Sequence, residues 1–114
     1  MDSRATTTSP MDREATFKQL ISQFPDSPMG HFSLGRLYVD EKRWAEAAKS
    51  LEEAVRLDPN YAAALVALGD AHNGNNDKPA AKAAWERALA TPHGQRDLSL
   101  QSDLEQRIRD LEDF

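Results

Sequence analysis

Three histidines, His31, His72 and His93, raise the question of a metal centre in this chain of 114 residues. Two imidazoles on one helix converge on an ion at i, i+3 or i, i+4 spacing, and no pair here has it. Cysteine is absent, which removes thiolate zinc sites, thiol catalysis and disulfides together. Catalysis needs a nucleophile beside a base, a carboxylate pair in a cleft, or a glycine loop around a phosphate. Glu52 and Glu53 are neighbours in sequence, so on a helix they point to different parts of the surface. The five glycines are single residues without phosphate-loop spacing. The sequence therefore predicts no catalytic residue, no metal and no cofactor. Trp44 and Trp85 are the candidates for stacking on bases, yet each sits at helical spacing with Ala and Leu and has few basic neighbours, which marks both as core.

Charge argues in the same direction. Fourteen Lys and Arg against nineteen Asp and Glu leave a net charge of -5, with no overall field to attract a phosphate backbone or anionic lipid. The longest uninterrupted apolar run, residues 61–68, is too short to span a bilayer, and the N-terminus has no apolar segment like a secretory signal. These features predict a cytoplasmic protein with no nucleic-acid or membrane partner. With 39% hydrophobic and 29% charged residues the chain is expected to fold, and its length suits a single domain.

The elements that must position any functional side chain are helices. Residues 1–9, rich in Ser and Thr, read as a flexible leader outside the fold. A first helix begins near Pro10, where Ser9 and Asp12 have capping-box spacing, and its Phe17, Leu20, Ile21 and Phe24 fall on one stripe. Pro25 and Pro28 close it. Further helices are expected near 28–40, 44–57, 62–73, 78–90 and 97–113. Asp58-Pro59-Asn60 ends one of them, and the run from Asn73 to Asp77 forms a turn. His93 and Gly94 read as loop. The last helix, with Leu100, Leu104, Ile108 and Leu111 on one stripe, carries Asp97, Asp103, Glu105, Asp110, Glu112 and Asp113 against Arg107 and Arg109, the polar exterior of a terminal cap.

An offset of 34 residues pairs Leu34 with Leu68, Gly35 with Gly69, Ala47 with Ala81, Leu51 with Trp85 and Ala54 with Ala88. Glycine permits two helices to approach closely, alanine is the small residue expected opposite it, and the larger Leu51 and Trp85 fill the space nearby. His31, Leu34, Gly35, Tyr38, Ala47, Leu51 and Pro59 stand at the spacings of W-x-x-L-G-x-x-Y, A-x-x-x-F and P, with Leu65, Leu68, Gly69, His72, Ala81, Trp85, Ala88 and an early Pro92 in the second unit. The chain thus resembles the tetratricopeptide-repeat family over residues 28–92. Extending the period backwards puts Phe17 and Pro25 in the large-aromatic and closing-proline slots, so the first helix resembles the second half of a degenerate repeat. His31 and His72 then read as packing substitutions in aromatic slots.

The resemblance implies an all-α fold of antiparallel helical hairpins, stacked as a short right-handed α-solenoid of about six helices with a C-terminal capping helix. Residues 10–114 form one domain: a half-repeat over 10–25, repeats over 28–61 and 62–95, and a cap over 97–113. It also implies a protein-protein interaction module that holds a peptide or helix of a partner in its concave groove, rather than an enzyme. Excluding the core slots leaves Met29, Phe32, Arg36, Val39 and Asp40 on the first repeat, and Ala63, Val66, Asp70 and Asn73 on the second, as the expected groove. Phe32 beside Arg36 makes a binding hot spot there, unless Phe32 packs on the preceding helix. The Lys and Asn clamp of family members that grip a partner's C-terminal carboxylate is not reproduced. Because stacked repeats usually need about three units to bury a stable core, a homodimer through an end face is the alternative.

Overall fold

The computed structural model describes residues 10–112, with side chains from Asp12 onward. The expected leader over 1–9 and the end of the expected cap at 113 lie outside the described residues. Seven helices and no strand occur among them: α1 (Pro10–Gln23), α2 (Pro28–Asp40), α3 (Trp44–Leu57), α4 (Ala62–Gly74), α5 (Lys78–Ala90), α6 (Pro92–Arg96) and α7 (Leu98–Glu112). Consecutive helices pack as antiparallel hairpins into a short solenoid of 53 × 30 × 23 Å.

Local chemistry sets the starts. Ser27 accepts from the Met29 N–H ahead of α2, with Pro28 as the first helical residue. Asp77 accepts from Ala80 N–H ahead of α5. Between the two helices of each repeat the chain reverses through one residue with positive φ, Lys42 at 60° and Asn76 at 61°, again 34 positions apart.

The short α6 was not expected. Pro92, which the period assigns to closing a repeat, instead opens a helix, because its missing N–H costs nothing in the first turn. Thr91 caps it, accepting from Gly94 N–H at 3.0 Å. His93 is therefore helical rather than loop, and Gly94 is buried where a Cβ would strike the carbonyl oxygens of Ala88 and Leu89.

Inside the repeats the glycine slots differ in one detail from expectation. Gly35 faces Leu51, whose Cγ would lie 2.5 Å from an added Cβ, and Gly69 faces the indole of Trp85, so the large residue itself covers the glycine. Ala47 and Ala81 are fully buried in the same helix crossings. Gly74, read as part of a turn, is the last residue of α4 and lies under the Trp44 ring. Two apolar clusters result, one around Leu34, Tyr38, Leu51 and Leu68, the other around Leu65, Trp85 and Leu104.

A polar network fastens α1 to the α2–α3 turn. The Tyr38 hydroxyl donates to Glu14 at 2.8 Å, and Arg43 and Lys18 each reach Glu14 at 3.1 Å. Arg43 also pairs with Glu41 at 3.0 Å and Glu46 at 2.6 Å while its guanidinium lies 4.4 Å from the Tyr38 ring centroid. The Tyr38 hydrogen bond, with Lys18 and Arg43 behind it, lowers the Glu14 carboxyl to about 2. Burial, and then the bond to Glu14, push the Tyr38 phenol up to about 12.

Candidate binding groove

The inner stripes of α2 and α4 carry the expected groove residues, and the structure divides them. Arg36, Ala63, Val66 and Asp70 line one open groove of about 500 Å³. Its floor is the small-residue surface of α4, Ala62, Ala63, Val66 and Ala67. Asp58, Asn60 and Tyr61 rim the entrance to α4, and His93, Asp97 and Leu100 close the far side. Helix geometry puts Ala63, Val66, Ala67 and Asp70 on one face at i, i+3, i+4 and i+7.

Phe32 is half-buried. Its ring lies 4.9 Å from that of Tyr61 and packs against both apolar clusters, while the Arg36 guanidinium stands 6.0 Å from its centroid. Phe32, Arg36 and Asp40 also line a smaller recess of about 230 Å³ with Phe17 of α1. Val39 turns toward the first cluster, and Met29 stands 66% exposed at the start of α2. Asn73 lines a third recess of about 540 Å³ with Asp70, Lys78 and Arg107.

Asp70 joins the groove to that third recess and is bonded across to α7. Arg107 meets it at 2.6 Å, reaches Asp103 at 3.2 Å, and places its guanidinium 5.7 Å from the Trp85 ring centroid. Burial pushes the Asp70 carboxyl above its ordinary range, and Arg107 and Arg36 pull it back. The Trp85 indole N–H donates to the Val66 carbonyl at 3.1 Å, which fixes the groove floor onto α5. Asp97 caps α7 through the Leu100 N–H at 3.0 Å, and His93 lies 3.3 Å from its carboxylate.

Sequence reasoning missed the far wall and Tyr61. Tyr61 immediately precedes α4, a position the repeat signature leaves open, and its partnership with Phe32 depends on the crossing of α2 and α4. The far wall depends on α6, which resets the register after Pro92.

A profile of the TPR repeat matches residues 35–76, from the middle of α2 through α4. The TPR repeat-containing protein PA0015 of Pseudomonas aeruginosa is 30% identical over 95 residues, spanning 83% of this chain and 90% of that protein. The chain belongs to the tetratricopeptide-repeat family. The fold of this TPR protein is also similar to the solution structure of protein BPP2914 from Bordetella parapertussis, with a TM-score of 0.73 and 27% identity over 87% of this chain and 86% of that one. TPR repeats serve generally as protein-protein interaction modules, and their ligands lie along the concave surface that stacked hairpins create. No helix among the described residues is long and apolar enough to cross a membrane.

Proposed function

We propose that this TPR protein is a non-enzymatic adaptor of the cytoplasm that holds a peptide or short helix of a partner protein in the groove between α2, α4 and the α6–α7 corner. One observation carries this reading: the floor that α4 gives the groove is formed by Ala62, Ala63, Val66 and Ala67, with no long side chain, and is flanked by Arg36 on one side and Asp58 and Asp97 on the others. A floor without long side chains lets a ligand backbone lie close, and charged rims fix its register. The α2–α4 surface is pre-formed by the core beneath it, so little ordering opposes binding.

Arg36 and Ala63 are both exposed, so charge can be changed at either without emptying the core. Phe32 is a poor probe, since its ring supports both apolar clusters. In a pull-down from native lysate, wild type is expected to retain a partner that an Arg36→Glu, Ala63→Glu variant loses, with equal helicity by circular dichroism. Retention of the same partners by both proteins would place binding on another face.

A further inference from the structure

The two ends of the solenoid are not finished alike. At the C-terminal end α7 turns its Leu104 side inward and shows solvent mainly polar residues, among them Ser102, Glu105 and Arg109, with Leu98 as the apolar exception. At the N-terminal end, α1 stands where the second helix of a repeat stands, packed on α2, and the place of its own first helix is open among the described residues.

The 34-residue register shows what that place does in the other repeats. Arg13 occupies the slot of Ala47 and Ala81, and Leu20 that of Ala54 and Ala88; all four alanines are 0% exposed, whereas Arg13 is exposed and Leu20 is 37% exposed. Phe17 occupies the slot of Leu51 and Trp85, which are covered by Gly35 and Gly69. Phe17 is only partly buried, and together with Arg13 it borders the 230 Å³ recess beside α2. Phe24, one turn beyond Leu20, is 59% exposed. Arg13 makes no hydrogen bond or ion pair among the described residues.

Arg13, Phe17, Leu20 and Phe24 succeed one another at steps of four, three and four, the 3.5-residue seam along which two helices interlock. Read in opposite directions about its midpoint, the stripe complements itself: Arg13 falls opposite Phe24 and Phe17 opposite Leu20. No like charges meet in that register, and each guanidinium gains an aromatic face.

We propose that this stripe, on α1 and on Phe24 just past its last residue, is a self-association surface, on which a second copy of the chain seats its own α1 antiparallel about a two-fold axis. Each copy then lays a helix on the face of the other's leading half-repeat that stands open among the described residues. The polar exterior of α7 restricts pairing to the N-terminal ends, so the assembly closes as a dimer and does not propagate. One helix pair buries less than the roughly 1,600 Å² of a standard interface, and the dimer is accordingly weak, with a dissociation constant of about 10 μM to 1 mM. The recess beside Arg13 and Phe17 shares Arg36 with the proposed α4 groove, but none of the four stripe residues lines that groove.

The test uses the 114-residue chain. Sedimentation equilibrium should show the average mass rising from one chain toward two between about 1 μM and 1 mM. Leu20→Glu, at an exposed site, should raise the dissociation constant at least about tenfold, equivalent to roughly 1.4 kcal/mol. Ala63→Glu, in the groove, should leave it unchanged. Because the chain has no cysteine, Arg13→Cys and Phe24→Cys variants add a test of direction: an equimolar mixture should form an intermolecular disulfide faster than either variant alone. Monomeric mass throughout the range, an unchanged constant in Leu20→Glu, or disulfide formation no faster in the mixture would overturn the proposal. Weakening by Ala63→Glu would move association to the groove and overturn it equally.

Discussion

Gly69 lies so close against the Trp85 indole that a methyl group on it would overlap Nε1 and Cδ1. The ring cannot retreat readily, because its N–H is bonded to Val66 and its surroundings are buried. Overpacking of this kind costs about 1–3 kcal/mol, against a helix-propensity gain of about 1 kcal/mol for alanine over glycine. Gly69→Ala is therefore expected to lower stability by up to about 2 kcal/mol in urea titration. Gly35→Ala meets the branched and more adaptable Leu51 at the equivalent crossing and should cost less. The reverse ranking would mean that Trp85 is free to move.

The left-handed turn residues give a stabilising substitution. Lys42 and Asn76 hold nearly the same positive φ at equivalent places, but only asparagine tolerates that conformation well. Lys42 is exposed, so replacing it removes little packing. Lys42→Asn should raise the unfolding free energy by about 0.5 kcal/mol, and Asn76→Ala should lower it by about 1 kcal/mol. Thermal unfolding of the two variants beside wild type provides the check.

Glu14 makes the attachment of α1 sensitive to acid. Folded Glu14 gives up its proton near 2, whereas an unfolded glutamate does so near 4.5, so the folded state favours the carboxylate. That contribution is present above about pH 4.5 and is lost as pH falls toward 2. Glu14→Gln should flatten this part of the stability-pH profile. Tyr38→Phe, which removes the largest cause of the shift, should move the Glu14 carboxyl upward in an NMR titration.

The repeat helices are legible in the sequence because their packing rests on recurring residue size: glycine and alanine at crossings, a large residue beside them, proline or a polar run at each break. Removing those slots leaves nine stripe residues, of which Arg36, Ala63, Val66 and Asp70 line the proposed groove, whereas Phe32 and Val39 pack on the core and Asn73 lines another recess. What escapes is set by contacts that no period encodes. The Glu14, Tyr38 and Arg43 network depends on how α1 crosses the α2–α3 turn, and the Asp70–Arg107 bond joins residues 37 positions apart on helices separated by the α6 corner. Pro92 misleads because proline ends one helix and starts another by the same missing N–H.

The attachment of α7 can be tested through two leucines of one helix. Leu104 is fully buried in the cluster that contains Leu65 and Trp85, whereas Leu98, at the start of α7, is 77% exposed. Leu104→Ala should cost about 2–4 kcal/mol, and Leu98→Ala less than about 0.5 kcal/mol. If α7 does no more than cover the end of the core, Leu104→Ala will lower stability and leave partner retention by the folded fraction intact. Since Leu100 and Asp97 form the far wall of the groove, the proposed binding mode predicts the other outcome: affinity falls as α7 loosens, even where circular dichroism shows α2–α5 still folded. Measuring affinity and helicity on the same sample separates a cap from a working wall.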